Sequence, residues 1–128
     1  IDIAPTIAAW ADALAPDFVD GRSLQPVLDG DGTPWRRAVL VTHHHNRPTR
    51  TDGPPAFAAL RTQTMTYVEY ADEWRELYDL PADPHQLHNR VEDLDAQQSR
   101  ALAGVLADLS ACSGASCRTA EDAPLSMM

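Results

Sequence analysis

The chain contains no lysine: all ten of its basic residues are arginine, set against 19 aspartates and glutamates for a formal net charge of -9. Any mechanism that needs a catalytic lysine is therefore excluded from these residues. The acidity also excludes nucleic acid as a partner, since its phosphates attract clustered cations and repel a negative surface. No apolar run approaches the ~20 residues that a membrane-spanning helix requires, so the expectation is a soluble piece with no membrane partner. Cysteine is scarce too, with only Cys112 and Cys117, in S-A-C-S-G-A-S-C-R. A lone C-x4-C has too few partners for a metal site. It leaves two readings, a small-loop disulfide between Cys112 and Cys117, which implies an oxidising compartment and an exported protein, or two free thiols. An initiator methionine and a charged-then-apolar leader are also absent before the helical pattern that opens at Ile1, and the expectation is a fragment of a larger protein.

The 128 residues present suffice for one modest core. Ile3, Ile7, Trp10, Ala11 and Leu14 recur at helical spacing, with Pro5 in the first turn, which predicts a short amphipathic helix. Ser23 starts one further helical turn ending near Gly30, and D-G-D-G-T-P is a turn cluster. R-A-V-L-V-T-H-H at 37–44 reads as a strand running into a polar loop, H-N-R-P-T-R-T-D-G-P-P. Phe57 to Gln63, Met65 to Ala71 and Trp74 to Leu80 read as three closely spaced strands of an antiparallel meander. D-A-Q-Q at Asp95 to Gln98 is a capping box, and the stripe Leu102, Val105, Leu106 and Leu109 follows it. The fold class expected is α+β: a small antiparallel sheet of about four strands packed against a C-terminal helix, with a short N-terminal helix. Beyond Cys112 the residues are small and polar, and a loose tail is expected.

Between strand and final helix lies R-E-L-Y-D-L-P-A-D-P-H-Q-L-H-N-R-V, residues 75–91. Alternation sends Leu77 and Asp79 to one face and Tyr78 and Leu80 to the other. In D-P-H-Q, Asp83 as N-cap, Pro84 at the first helical position and Gln86 reaching back predict one tight turn, with Leu87 plugging the core and Asn89 leaving in the left-handed conformation. His85 and His88, three apart, have no carboxylate or cysteine partner nearby and read as surface residues. Arg61, inside a strand, is expected to pair with Asp79 or Glu69. Trp10, Trp35 and Trp74 read as core or interface residues.

The order D-I-A-P-T-I, D-G-R-S-L-Q-P-V-L, A-L-R-T-Q-T-M-T-Y-V-E-Y, E-L-Y-D-L-P-A-D-P-H-Q-L-H-N and terminal helix resembles the C-terminal portion of the sulfatase family. L-S-A-C-S-G-A-S-C-R-T is similar to the end of the N-acetylglucosamine-6-sulfatase branch. The resemblance implies a C-terminal subdomain at 1–118, followed by a loose tail at 119–128. It implies a sulfuric ester hydrolase acting on glycosaminoglycan-type or related sugar sulfates, with a formylglycine made from a C/S-x-P-x-R motif and calcium or a similar divalent metal. Neither Cys112 nor Cys117 heads that motif, and the metal and sulfate ligands of the family lie upstream of D-I-A-P-T. No catalytic residue, metal ligand or cofactor is therefore assigned to this chain, which alone should be inactive. Its expected partner is its own missing N-terminal domain, whose absence leaves an apolar patch prone to self-association.

One segment remains a substrate-binding candidate, T-H-H-H-N-R at 42–47 with the loop beyond it. His43 and His45 alternate away from His44, too few to make a zinc site. In an intact sulfatase, as the resemblance implies, this strand end faces the active-site mouth, where His45, Arg47 and Arg50 are expected to bind sulfate or sugar oxygens, the arginines foremost through their planar fork; the competing reading is a solvated loop. Two readings stand beside the sulfatase one: a self-standing binding domain without chemistry, and the tail of a related phosphatase or phosphodiesterase.

Overall fold

In β2 (Phe57–Arg61) and β3 (Met65–Tyr70) apolar residues stand on both faces, and these two strands form the centre of a four-stranded antiparallel sheet. The structure is a computed structural model that describes residues 1–32, 34–44 and 55–125. The chain divides into two compact units, the first made of Ile1–Arg37 together with Ala111–Pro124 and the second built on Ala38–Ser110.

In the second unit the sheet runs in the order β1-β2-β3-β4, with β1 (Val39–His43) and β4 (Arg75–Asp79) at its edges. The register aligns Leu40, Leu60, Tyr67 and Leu77 in one row across all four strands. Strand alternation puts that row on a single face, where Leu60 and Tyr67 are fully buried. On α3 (Ala96–Ala111), Leu102, Leu106 and Leu109 are buried at helical spacing. Arg75 donates to the Ser99 hydroxyl of α3 at 3.0 Å, which ties this helix to the same sheet face. The helix start follows the capping box: Asp95 Oδ1 accepts from the backbone of Gln97 and Gln98 at 2.7 and 2.8 Å, and Gln98 Oε1 accepts from Asp95 N at 3.0 Å.

Between β4 and α3 the chain departs from the expected plug. Gln86 takes the left-handed conformation at φ 55°, not Asn89, and Leu87 is 74% exposed instead of filling the core. Asp83 does act as a local acceptor, from His88 N at 2.8 Å, and this backbone N–H holds its carboxyl below the usual range. The inverted backbone at Gln86 turns the following side chain outward, and the tight helical turn does not form. Asn89 has a different use. Its side chain accepts from Leu77 N and Val91 N and donates to Arg75 O, each at 3.0 Å, while Arg90 N donates to Leu77 O at 2.8 Å. These bonds occupy the open edge of β4, which would otherwise present unpaired backbone groups. Arg61 pairs with neither Asp79 nor Glu69; it donates to Thr66 at 2.9 Å, and Asp79 instead accepts from Arg90 at 3.2 Å.

Tyr67 donates to Glu69 at 2.7 Å, and burial together with this carboxylate pushes its phenol up to about 12. Burial and Glu76 push Tyr78 to about 12, and the same two causes raise Tyr70. A phenol whose folded pKa exceeds its unfolded value contributes stability that is complete below about pH 10 and is lost as pH rises toward 12. All three tyrosines should therefore remain protonated in the folded chain past pH 10, whereas in concentrated urea they titrate together near 10. Absorbance at the tyrosinate band during an alkaline titration checks this, and a folded-state midpoint near 10 for all three would contradict it.

In the first unit, α1 (Ile3–Trp10) begins as expected but ends before Ala11 and Leu14, with Asp12 in the left-handed conformation at φ 52°, and α2 (Gln25–Leu28) is the expected further turn. Thr6 is buried, donates to Asp2 O at 2.6 Å and accepts from Leu24 N at 2.9 Å. Gly21 packs so closely on the chain start that a Cβ there would collide with the Ile1 carbonyl. The expected loose tail is instead α4 (Ala115–Asp122), in which Cys117 and Glu121 are buried. Cys112 and Cys117 are joined in a disulfide, with Cα atoms 4.9 Å apart. Gly114 begins α4 at φ 55° and donates to Asp20 Oδ1 at 2.6 Å.

Candidate functional site

Of the predicted substrate contacts, His45, Arg47 and Arg50 lie outside the described residues. The described groups nearest to them in sequence are His43, half-buried at the end of β1, and the exposed His44. His43 is opposite Phe57 in the register, and Phe57 is opposite Tyr70. The three rings form a row, with centroids 5.7 Å apart at both steps. Tyr70 donates to Glu76 at 3.3 Å. Beside this row a cavity of about 500 Å³ is lined by Thr42, His43, His44, Phe57, Glu69 and Tyr70 among others. It combines an aromatic wall with imidazole and carboxylate groups and is open to the surface.

A second constellation lies in the first unit. Arg36 donates to Asp2 at 2.6 Å and pairs with Glu121 at 3.2 Å; Arg22 pairs with Glu121 and Asp122, both at 3.0 Å. Both guanidiniums lie over the Trp35 ring, at 5.6 Å for Arg22 and 5.0 Å for Arg36. Burial pushes the Asp2 carboxyl up, but the Arg22 backbone N–H and the Arg36 guanidinium outweigh it and hold the group below the usual carboxylate range. Three carboxylates thus face two guanidiniums, and no cationic surplus remains to attract an anion. The cluster is a clamp between the chain start and α4. Its bonded partners lie up to 100 residues apart, which hides it from any local pattern in the sequence; the W-R pair at 35–36 is its local sign.

Trp35 is consequently a clamp residue, whereas Trp10 and Trp74 are exposed by 62% and 63%. Among the described residues no group of three His, Cys, Asp or Glu side chains is placed to hold a metal ion. Both cysteines are joined to each other, so neither offers a thiol.

The four-stranded antiparallel meander and the helices that precede and follow it in sequence define an α+β fold. The chain belongs to the sulfatase C-terminal domain family: residues 1–110 match the family described as N-sulphoglucosamine sulphohydrolase, C-terminal. It is 35% identical over 95 residues to N-acetylglucosamine-6-O-sulfatase of Bacteroides thetaiotaomicron, covering 70% of this chain and 16% of that protein. It is 30% identical over 149 aligned positions to N-acetylglucosamine-6-sulfatase of Bos taurus, covering 93% of this chain and 27% of the relative. The fold is that of BT4656, solved in complex with its substrate D-glucosamine-2-N,6-O-disulfate: TM-score 0.72 and 23% identity, over 99% of this chain and 25% of that one. The chain thus spans about a quarter or less of the length of the proteins it matches.

Proposed function

We propose that this chain is the C-terminal part of a sulfatase that hydrolyses sulfate esters of sugars. The observation that carries the reading is the family match over residues 1–110, supported by two relatives named for 6-sulfated N-acetylglucosamine. The sulfatase reading implies a formylglycine, which would supply a nucleophile, and a divalent cation, which would balance the sulfate charge. The donor set of this chain fits neither group: its cysteines form a disulfide, and its described carboxylates are paired or dispersed. In this reading those groups belong to a part of the protein preceding residue 1, and no catalytic step is assigned here. The disulfide supports an exported enzyme, since such bonds persist in oxidising compartments.

The contribution of this chain to the site is substrate contact from His45, Arg47 and Arg50. Arginine forks would hold sulfate oxygens, and His45 a sugar oxygen. Two outcomes follow. The product extended upstream to include a C/S-x-P-x-R motif releases sulfate from N-acetylglucosamine-6-sulfate, measured by ion chromatography, and the 128-residue chain does not. Sulfate release by the 128-residue chain alone, or a preference of the extended product for the phosphate ester, would overturn the reading. In the extended enzyme, replacing His45, Arg47 and Arg50 together by alanine raises KM by at least about tenfold, as expected for lost charged hydrogen bonds, with little change in kcat. Unchanged steady-state kinetics would remove these residues from the site.

A further inference from the structure

We propose that the Cys112–Cys117 disulfide is a redox-sensitive latch: oxidised, it seats α4 in the clamp, and reduced, it releases α4 and with it the hold on Asp2 and α1. Little else secures α4. Its sequence, A-S-C-R-T-A-E-D, is polar, and eight residues make a marginal helix. Cys117 and Glu121 are its buried residues, so the disulfide sulfur is the uncharged group that α4 inserts into its unit. The remaining ties are polar. Arg37 N donates to Glu121 O and Arg118 to Val19 O, both at 2.8 Å, and Arg22 donates to Arg118 O at 3.0 Å.

The bond fixes the point from which α4 starts. Gly114, between the two cysteines, is buried in the left-handed conformation, and its N–H donates to Asp20 Oδ1 at 2.6 Å. A Cβ at this position would strike the Asp17 carbonyl. Glycine has many other conformations open to it once the loop is cut. Only S-G-A-S separates the cysteines, and so short a loop restricts an unfolded chain less than a long one does. The bond therefore acts chiefly on the local placement of α4.

From α4 the coupling runs through Glu121. Its buried carboxylate meets Arg22 at 3.0 Å and Arg36 at 3.2 Å. Arg36 in turn donates to the Asp2 carboxylate at 2.6 Å, and Arg22 N donates to the same group at 3.0 Å. Departure of α4 takes Glu121 away from two largely buried guanidiniums, a costly state that opening of the segment relieves. Asp2 O accepts from Thr6 at 2.6 Å, so loosening Asp2 loosens α1, itself only eight residues long. The chemical step is thiol–disulfide exchange: a dithiol supplies two electrons and two protons, leaving thiols at Cys112 and Cys117 and its own sulfurs joined. Cys112, half-buried, is the more accessible of the two. A chain that has not reached an oxidising compartment thus carries an unlatched α1.

The test is hydrogen exchange of the chain, oxidised and in excess dithiothreitol, read peptide by peptide by mass spectrometry. Cys112 and Cys117 are its two cysteines, so the reductant cuts no other bond. Reduction is expected to speed exchange of the α4 and α1 amides by at least about tenfold, the mark of local opening, while the β2 and β3 amides keep their protection. Reoxidation restores both helices. Cys112→Ser plus Cys117→Ser is expected to match the reduced chain and to ignore the reductant. Glu121→Gln, with the disulfide intact, is expected to speed α1 exchange as reduction does. Reducing that variant then adds less than about twofold in α1, because both changes cut one link. Unchanged α1 exchange on reduction would overturn the proposal, as would α1 amides already unprotected in the oxidised chain. Equal loss of protection in the sheet would overturn it too, since the bond would then support the whole fold. Effects of reduction and Glu121→Gln that multiply would put disulfide and clamp on separate routes and sink the latch.

Discussion

Replacing Arg36 by alanine is expected to destabilise the chain by about 3–5 kcal/mol, the usual cost of stripping one partner from a buried ion pair. Its side chain is only 7% exposed and Glu121, one of its two carboxylate partners, only 5%. Without the guanidinium, Glu121 keeps Arg22 as a partner, but Asp2 loses its shortest hydrogen bond and the Trp35 ring loses its closer cation. Arg36→Lys should recover only part of the loss, because one ammonium cannot reproduce the fork that reaches Asp2 and Glu121 together. Asp122→Ala is the matched control: its side chain is 51% exposed, and an exposed pair contributes at most about 1 kcal/mol. Urea denaturation of the three variants checks the ranking. Equal midpoints for Arg36→Ala and Asp122→Ala would show that the clamp is not a structural centre.

The same clamp gives a pH dependence with a definite sign. The Asp2 carboxyl is held below its ordinary value of about 3.9. A depressed carboxylate contributes stability that is present above the unfolded pKa and is lost as pH falls through the folded one. That contribution should fade below about pH 3.9 and be missing from Asp2→Asn at every pH.

The sheet was legible because its signals are local. Period-two patterning and closely spaced strand runs mark β2, β3 and β4, and the ladder only has to align them. α3 was legible through its capping box, each bond of which spans two or three residues. α4 was not, because A-S-C-R-T-A-E-D has little apolar content and is held by Arg22 and Arg36, remote in sequence, and by the disulfide. Leu87 misled for another reason. A single left-handed residue, Gln86, reverses the direction of the next side chain, and glutamine is not a residue whose type announces that conformation. The stripe of α1 was readable as amphipathic, but a period reveals that one face is apolar without saying whether the same chain covers it. For the substrate contacts the sequence offers residue types suited to anions, and His45, Arg47 and Arg50 lie outside the described residues.

Leu60→Ala is the second large effect expected, a loss of about 2–5 kcal/mol from deleting a fully buried side chain and leaving a cavity. Leu60 sits on a central strand, fully buried, with Leu40 on one side of its row and Tyr67 on the other. Backbone pairing to both neighbours fixes its main chain, so the sheet cannot close over the vacated space without breaking register. The helix above is constrained as well, since Leu102 and Leu106 are themselves buried. A value in the upper half of the range is therefore expected, whereas Leu60→Met, which nearly conserves volume, should cost less than about 1.5 kcal/mol. Val41→Ala on edge strand β1 is the contrast, because its side chain is 47% exposed and points to the opposite face. It should change stability by no more than about 1 kcal/mol. Equal losses for Leu60→Ala and Val41→Ala would place the core on the other face of the sheet and overturn the assignment of α3 to the Leu40, Leu60, Tyr67 and Leu77 row.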